Sequence, residues 1–315
     1  MYIQNIELSE LLKLNSGEVF SSSNWLSIYS NTDLKFLGVF NKNHEAIGFF
    51  YYQKHKRAKV LSHISPPFLS PTCGLYIKDE STNPAKKISF EKKVHELILE
   101  HVKSEKFDIL TLPFPEDFMD MQPYIWAGFQ VTPKFTYHIN LLESEDKLLA
   151  LMSPERRKNV TKSIKEGLVV KESLGCLSSQ ALIEKTFQDQ GLWYDKQVLI
   201  NLFSVFSDSN KALSYSTYHQ NQLVATVFCV RDKEKAYYIL GGFDKNNSFS
   251  GAGALAMWHA IKKAKEFGLK IFDFEGSMHP PIEKYFRGFG GEMAPYFCLE
   301  QTNWKGKLLI NLRGK

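Results

Sequence analysis

Apolar and polar residues repeat one order of strand-like segments along the chain. In the first half, the strand-like apolar segments at residues 35–40 and 46–52 predict two strands joined by a polar turn. In the second half, residues 213–218 and 223–230 predict the same arrangement. A third apolar segment follows each pair. Each half therefore opens with three strands in succession.

A helical pattern follows the three strands in both halves. Apolar residues at spacings of three and four indicate one buried helix face in each half. These faces consist of Phe90, Val94, Leu97, Ile98 and Val102 in the first half, and of Leu255, Ala256, Ala260, Ala264 and Phe267 in the second. Each helix leads to a short strand, a proline-containing turn, a second short helix ending at Gly-Phe, and a last strand.

The duplicated order β-β-β-α-β-α-β predicts an α/β protein made of mixed sheets. We expect two domains, residues 1–143 and 144–315, with a charged segment at the boundary. In each domain the crossover through the first helix should join parallel strands.

Composition narrows the class of protein. The 315 residues are 43% hydrophobic and 23% charged, with a net charge of +5, which is typical of a globular protein and too weakly basic for a dedicated DNA binder. Four separated cysteines without metal-ligand spacing predict reduced thiols, no metal and a cytoplasmic location. Neither a signal peptide nor a membrane-spanning segment is expected, and the basic C-terminal residues 304–315 would make at most peripheral membrane contact.

A glycine-containing turn distinguishes the second half from the first. Gly251, Ala252, Gly253 and Ala254 open the predicted helix directly after a strand and a loop. Small residues at a helix N-terminus let backbone N–H groups approach a phosphate closely, and the helix dipole favours negative charge there. The alternative is ordinary turn chemistry, since the segment lacks the full dinucleotide-binding pattern.

Three segments of the chain resemble those of a known family. They are SPPFLSPTCG at 65–74, PERRKNVTKSIKEGLVV at 154–170 and FDFEGSMHPPIEKYFRGFGGEMAPY at 272–296. The chain resembles the FemABX-like family, which has two domains of the GNAT acyltransferase fold in tandem, and the related BioF2-like acetyltransferase domains. The resemblance implies an N-acyltransferase with no permanently bound cofactor.

The resemblance leaves the substrates open. The donor would be an acyl-CoA or an aminoacyl-tRNA, and the acceptor an amine, such as that of a peptidoglycan or other envelope precursor. One alternative is an acetyl-CoA-dependent enzyme acting on a small molecule or a polysaccharide amine. Another is a non-catalytic binding protein that retains the fold.

Amide formation needs a base, a polarised carbonyl and a proton for the leaving group. We expect Glu275, at the end of a strand, to accept the amine proton, while capping of the next turn or pairing with a lysine is its structural alternative. By the resemblance, Tyr285 would donate to the leaving group and Arg287 would stabilise the oxyanion or hold a phosphate. The alternatives are core packing for Tyr285 and a salt bridge to Glu283 or Glu292 for Arg287.

Acceptor contacts are expected from two further segments. The basic helix at 154–165 supplies Arg156, Arg157 and Lys162, for which a solvated face is the alternative. The proline-rich loop of the first half supplies Pro67 and Phe68. The first half lacks the glycine turn, so we predict a single donor site, in the second half.

Overall fold

The computed structural model describes residues 1–14, 16–30, 32–57, 60–79, 81–246 and 249–313, with backbone alone for 309–313. The elements up to residue 140 are β1 (Tyr2–Asn5), α1 (Leu8–Leu11), α2 (Ser23–Ser27), β2 (Leu34–Phe40), β3 (Ala46–Arg57), β4 (Leu61–Ser65), β5 (Tyr76–Ile77), α3 (Pro84–Ser104), β6 (Ile109–Pro113), α4 (Gln122–Trp126) and β7 (Gln130–Asn140). The later elements are α5 (Glu145–Leu151), α6 (Pro154–Lys165), β8 (Val169–Glu172), α7 (Leu177–Asp189), α8 (Lys196–Val205), β9 (Ala212–His219), β10 (Gln222–Arg231), β11 (Lys235–Phe243), α9 (Ala252–Glu266), β12 (Ile271–Asp273), α10 (Pro280–Arg287), β13 (Glu292–Thr302) and α11 (Trp304–Arg313).

The chain forms two compact units. The first unit comprises Met1–Ser16, Phe20–Lys134 and Pro295–Lys315, and the second comprises Gly17–Val19 and Phe135–Ala294. The predicted order of elements occurs in both halves of the chain, with the short strand β5 added in the first. The division at 143/144 stays a prediction.

The first unit contains a mixed sheet in the order β1-β2-β3-β4-β6-β13. Strands β4 and β6 are parallel, as the crossover through α3 requires, and the other neighbours are antiparallel. Helix α3 begins where Asn83 accepts a hydrogen bond from the Lys86 N–H and Pro84 occupies the first helical position. It buries Val94, Ile98 and Val102 in the core of this unit.

The second unit contains the sheet order β7-β12-β11-β10-β9-β8. Only β11 and β12 are parallel in this order. Helix α9 packs against this sheet through buried small residues, Ala252, Ala254, Ala256, Ala260 and Ala264. Alanine favours the helix and lets the helix axis lie close to its neighbours, so the start of α9 is firmly placed.

No helix in the described part of the chain is both long enough and apolar enough to cross a bilayer.

Candidate active site

A pocket opens in the second unit where two parallel strands separate. Strands β11 and β12 pair through three residues only, ending at Tyr237 and Asp273. Beyond that point lies a pocket of about 600 Å³, a volume typical of small-molecule sites. Its walls come from β10, β11, the end of α7, the first turn of α9 and residues 274–286. We call it the β11–β12 pocket.

The glycine turn forms one end of this pocket, and glycine is needed at its two glycine positions for different reasons. Gly251 caps α9 with φ of +115°, and a Cβ there would lie 2.5 Å from the Asn159 carbonyl oxygen and 2.6 Å from Ser163 Oγ. Gly251 is therefore required by its backbone conformation and by the close approach of α6. A Cβ at Gly253 would meet only the Tyr285 hydroxyl, at 3.5 Å. Gly253 is thus the glycine that leaves space at the pocket.

Glu275 lines the same pocket, but not as the last residue of a strand. The sequence predicted a strand through Glu275, whereas β12 ends at Asp273. Glu275 has a left-handed backbone with φ of +56°, and its N–H donates to Asp273 Oδ1 at 2.8 Å. The next residue, Gly276, also has positive φ, and a Cβ there would lie 2.0 Å from the Phe135 carbonyl oxygen. A tight turn therefore determines where the Glu275 side chain begins.

Asp273 supports this turn from inside the protein. It is buried, and Oδ1 accepts from Thr136 Oγ1 at 2.5 Å while Oδ2 lies 3.1 Å from His138 Nε2. Its oxygens are therefore used in structural contacts.

Tyr285 projects from α10 into the pocket beside Gly253. Its hydroxyl has no hydrogen-bond partner among the described residues. Burial raises the pKa of Tyr285 to about 12, so the phenol carries its proton at neutral pH. Tyr238, from β11, is a second pocket phenol whose pKa is raised by burial. An uncommitted, protonated hydroxyl is suited to proton donation.

Arg156 is the cation of the pocket. It is only 9% exposed, and its guanidinium carbon lies 4.1 Å from the ring centre of Tyr285 and 5.0 Å from that of Phe289. Within the described residues it forms no ion pair, and Nε has no hydrogen-bond partner. Its guanidinium Nη2 donates to the Tyr285 carbonyl oxygen at 3.4 Å. Its charge is therefore largely available to a ligand.

The other predicted site residues lie outside the β11–β12 pocket. Arg287 is 61% exposed and its Nε donates to Glu283 Oε1 at 2.7 Å, so the salt bridge named as its alternative is present. Arg157 Nη1 donates to the Ala150 carbonyl oxygen at 3.3 Å, and exposed Lys162 pairs with Glu166 at 3.4 Å.

Two predicted residues lie in the first unit. Pro67 is buried and Phe68 is half-buried. The Phe68 carbonyl oxygen accepts from the Tyr29 hydroxyl at 2.8 Å, and the Pro67 carbonyl oxygen accepts from the Ser70 N–H at 3.0 Å. These contacts hold the loop within its own unit.

Sequence reasoning missed part of the lining. The pair Gly241–Gly242 on β11 lets the pocket wall form, since a Cβ at Gly242 would lie 2.9 Å from backbone atoms of α7. Phe187 and Leu192, at the end of α7, also line the pocket. In the sequence, the double glycine at the end of a predicted strand could have indicated a close approach of another backbone. No comparable pattern in the sequence of α7 indicated that its end lines a pocket.

Comparison with known proteins places this geometry in a class. Residues 182–287 match the family model described as "Acetyltransferase (GNAT) domain". This match includes most of the pocket lining, from the end of α7 through β10, β11 and α9 to α10, but it does not include Arg156. Among proteins with curated descriptions, none matches the chain.

Solved structures of similar fold span nearly the whole chain. FemX has a TM-score of 0.62 at 13% identity, covering 94% of this chain and 97% of its own. The C-terminal domain of a putative lysylphosphatidylglycerol synthetase from Agrobacterium fabrum has a TM-score of 0.60 at 10% identity, covering 96% of each chain. A tandem GNAT protein from the clavulanic acid biosynthesis pathway has a TM-score of 0.53 at 10% identity, covering 95% of this chain and 97% of its own.

The protein is a GNAT-fold acyltransferase. Its fold is the FemABX-like one, with two GNAT-like domains in tandem, which confirms the predicted fold class.

Proposed function

We propose that the β11–β12 pocket binds the activated end of an acyl donor and that the acyl group passes to an amine. One observation carries the proposal: Gly253, Glu275, Tyr285 and Arg156 line a single pocket. A phosphate-compatible helix terminus, an acid, a protonated phenol and a cation are thus available together. These are the groups that amide formation by acyl transfer uses.

The shape of the pocket supports a coenzyme A thioester as donor. The first turn of α9 offers N–H groups to a pyrophosphate, and Gly253 leaves room for it. Apolar side chains, among them Phe249, Phe274 and Phe286, line the rest and suit an extended chain of low charge.

The proposed reaction forms one C–N bond and breaks one C–S bond. Glu275 accepts a proton from the attacking amine, directly or through water. Arg156 stabilises the negative charge that develops on the carbonyl oxygen, since its guanidinium has donors to spare. Tyr285 gives its proton to the departing thiolate. Arg287, paired with Glu283, is assigned no part in this step.

The same groups would serve an aminoacyl-tRNA, with a ribose oxygen leaving in place of sulfur. FemX and the lysylphosphatidylglycerol synthetase domain share the fold, and with the sequence resemblance this keeps an aminoacyl donor and an envelope-precursor acceptor within the proposal. Both donors are made in the cytoplasm, where we place the reaction. A small-molecule or polysaccharide amine is the alternative acceptor.

A thermal-shift panel with acetyl-CoA, CoA, aminoacyl-tRNA and a UDP-linked muropeptide tests the proposal. A donor at tenfold excess over Kd stabilises the folded state by about 1.4 kcal/mol, which raises Tm by roughly 3–6 °C. Gly253→Glu should abolish the shift, because it puts bulk and negative charge at the helix terminus.

Gly253→Ala is the matched control. Its Cβ would lie at an ordinary contact distance from the Tyr285 hydroxyl, so the shift should remain. A shift that survives in Gly253→Glu would move the donor site elsewhere. Stabilisation by none of the four compounds would favour the non-catalytic alternative.

A further inference from the structure

A second hollow lies next to the β11–β12 pocket and shares residues with it. It has a volume of about 620 Å³ and is formed by the first turn of α6 together with α10 and Gly288. Arg156, Pro281 and Tyr285 line both spaces. We call the second space the basic hollow, because Arg156, Lys284 and Arg287 line it against one acid, Glu155.

The three cations differ in how far they are neutralised. Arg287 shares its charge with Glu283. Lys284 is exposed and forms no ion pair within the described residues. Glu155 is exposed at the first turn of α6. The hollow therefore retains excess positive charge.

Arg156 differs from the exposed cations of the hollow because its guanidinium is held in a fixed orientation. A guanidinium that is nine-tenths buried normally has a carboxylate partner, because an isolated buried charge is costly. Here the aromatic rings of Tyr285 and Phe289 hold it by cation–π contact, and Nε is left without a hydrogen bond among the described residues. Such an arrangement keeps a planar donor ready for an oxyanion.

The first turn of α6 adds a further positive contribution. Ser153 caps this 12-residue helix, with its Oγ accepting from the Arg156 N–H at 3.2 Å. The cap places the N-terminal end of the helix dipole at the hollow. Side chains from α10 and the terminus of α6 thus converge on one space.

We propose that the basic hollow binds a phosphate group, and that this phosphate belongs to the amine acceptor. The assignment to the acceptor rests on the proposed function, in which the α9 terminus already holds the phosphates of the donor. Tyr285 and Arg156 line both spaces, so an acceptor anchored by its phosphate in the basic hollow reaches the donor past these two side chains. The substrate class is a phosphorylated amine.

Titration with inorganic phosphate at constant ionic strength, followed by calorimetry, tests the site. The wild-type protein should bind phosphate saturably, and Lys284→Gln and Arg287→Gln should each weaken binding about five- to tenfold. Both side chains are exposed, so neither variant should impair folding. Lys270→Gln, which removes an exposed lysine that lines neither space, is the matched control and should bind as wild type.

The Gly253→Glu protein separates this site from the donor site. Phosphate binding should persist there although donor binding is lost. Phosphate affinity that falls in Gly253→Glu, that is unchanged in Lys284→Gln, or that is not measurable in the wild type overturns the proposal. If no donor binds but phosphate still requires Lys284, the proposed function fails while the anion site stands.

Competition against phosphate then identifies the source of the phosphate. Displacement by O-phosphoethanolamine supports a monoester-bearing amine, and displacement by glycerophosphoethanolamine supports a diester. Ethanolamine, which lacks the phosphate, should displace nothing. Displacement by ethanolamine alone would contradict the assignment.

Discussion

Gly251 and Gly253 stand two residues apart at the start of α9, yet different forces require them. Gly251 is set by its positive φ and by the backbone of α6, whereas Gly253 faces open space beside Tyr285. A pattern of glycines in a sequence cannot separate these roles, because the neighbouring backbone comes from residues about ninety positions earlier. The separation matters for experiment: only position 253 reports on a ligand.

Cys176 should be more reactive than the buried cysteines, because its thiol has a lower pKa. It precedes α7, and hydrogen bonds from the side chains of Ser178 and Ser179 lower the pKa of its thiol to about 7. Burial raises the pKa of the Cys73 and Cys298 thiols to about 12. Iodoacetamide should therefore label Cys176 first, with a half-maximal rate near pH 7, measured by peptide mass spectrometry.

Ser178→Ala provides the check on this cause. Removing the donor should move the midpoint of labelling toward the ordinary pKa of a thiol. An unchanged midpoint, or labelling of Cys73 at the same rate, would contradict the prediction.

The sequence was a better guide to which residues line the candidate site than to how those residues are arranged in it. Glu275, Tyr285 and the glycine turn were singled out from the sequence, and the structure brings them together. The burial of Arg156 was not predictable, because its neighbours Arg157 and Lys158 make the helix look like a solvated basic surface. Only the packing of α6 against Tyr285 and Phe289 turns one of these cations inward.

A buried histidine of helix α3 should make the stability of the protein depend on pH. His95 is fully buried, Nδ1 lies 3.0 Å from the Tyr124 hydroxyl, and burial lowers its pKa to about 4. In the unfolded chain the imidazole of His95 is protonated below about pH 6.5, whereas in the folded protein it stays neutral down to about pH 4. The free energy of unfolding therefore keeps its full value above pH 6.5 and decreases as the pH falls toward 4. The loss from this one group is about 3 kcal/mol.

Urea unfolding at pH 7.5 and 4.5 measures this loss. His95→Asn keeps a polar atom near Nδ1 but cannot titrate, so its stability should change less between the two pH values than that of the wild type. Other histidines are the same in both proteins and cancel. Equal changes in both would show that His95 is not responsible.

Elements were predictable where their periodicity was strong. The apolar faces of α3 and α9 gave both helices, and the strands β2, β9 and β10 agree with the predicted segments within a residue. The end of β12 was not predictable, because a left-handed residue at Glu275 terminates the strand without a glycine or proline at that position. Helices α7 and α8 lay outside the predicted repeat β-β-β-α-β-α-β and were not assigned bounds.

At the scale of the molecule, the first unit is assembled from separated pieces of chain. Strand β6 pairs with Cys298–Thr302 of β13. Leu299 is fully buried in the core of this unit, and Asn303 Nδ2 donates to Asp108 Oδ1 at 2.9 Å. Residues 1–134 therefore need 295–315 to complete their sheet.

Fragments distinguish the two ways of dividing the chain. Residues 1–143 alone should lack cooperative unfolding, and joining residues 295–315 to 1–134 by a Gly-Ser linker should restore it, as followed by circular dichroism during urea titration. The reason is that the added segment covers the open edge of β6. A cooperative 1–143 fragment would instead support the division predicted from the sequence.

Strand β13, which pairs with β6, is synthesised long after β6, and this delay affects the order in which the two units can fold. Residues 114–297 must be translated after β6 before Cys298 emerges, which takes roughly 10–40 s at ribosomal speeds of about 5–20 residues per second. For most of that interval the second unit, which ends at Ala294, is still being synthesised, while the first unit exposes an unpaired strand beside a nascent core. The first unit, although begun first, can therefore complete its sheet only after the second unit has been made, and a chaperone would have most to protect during this interval.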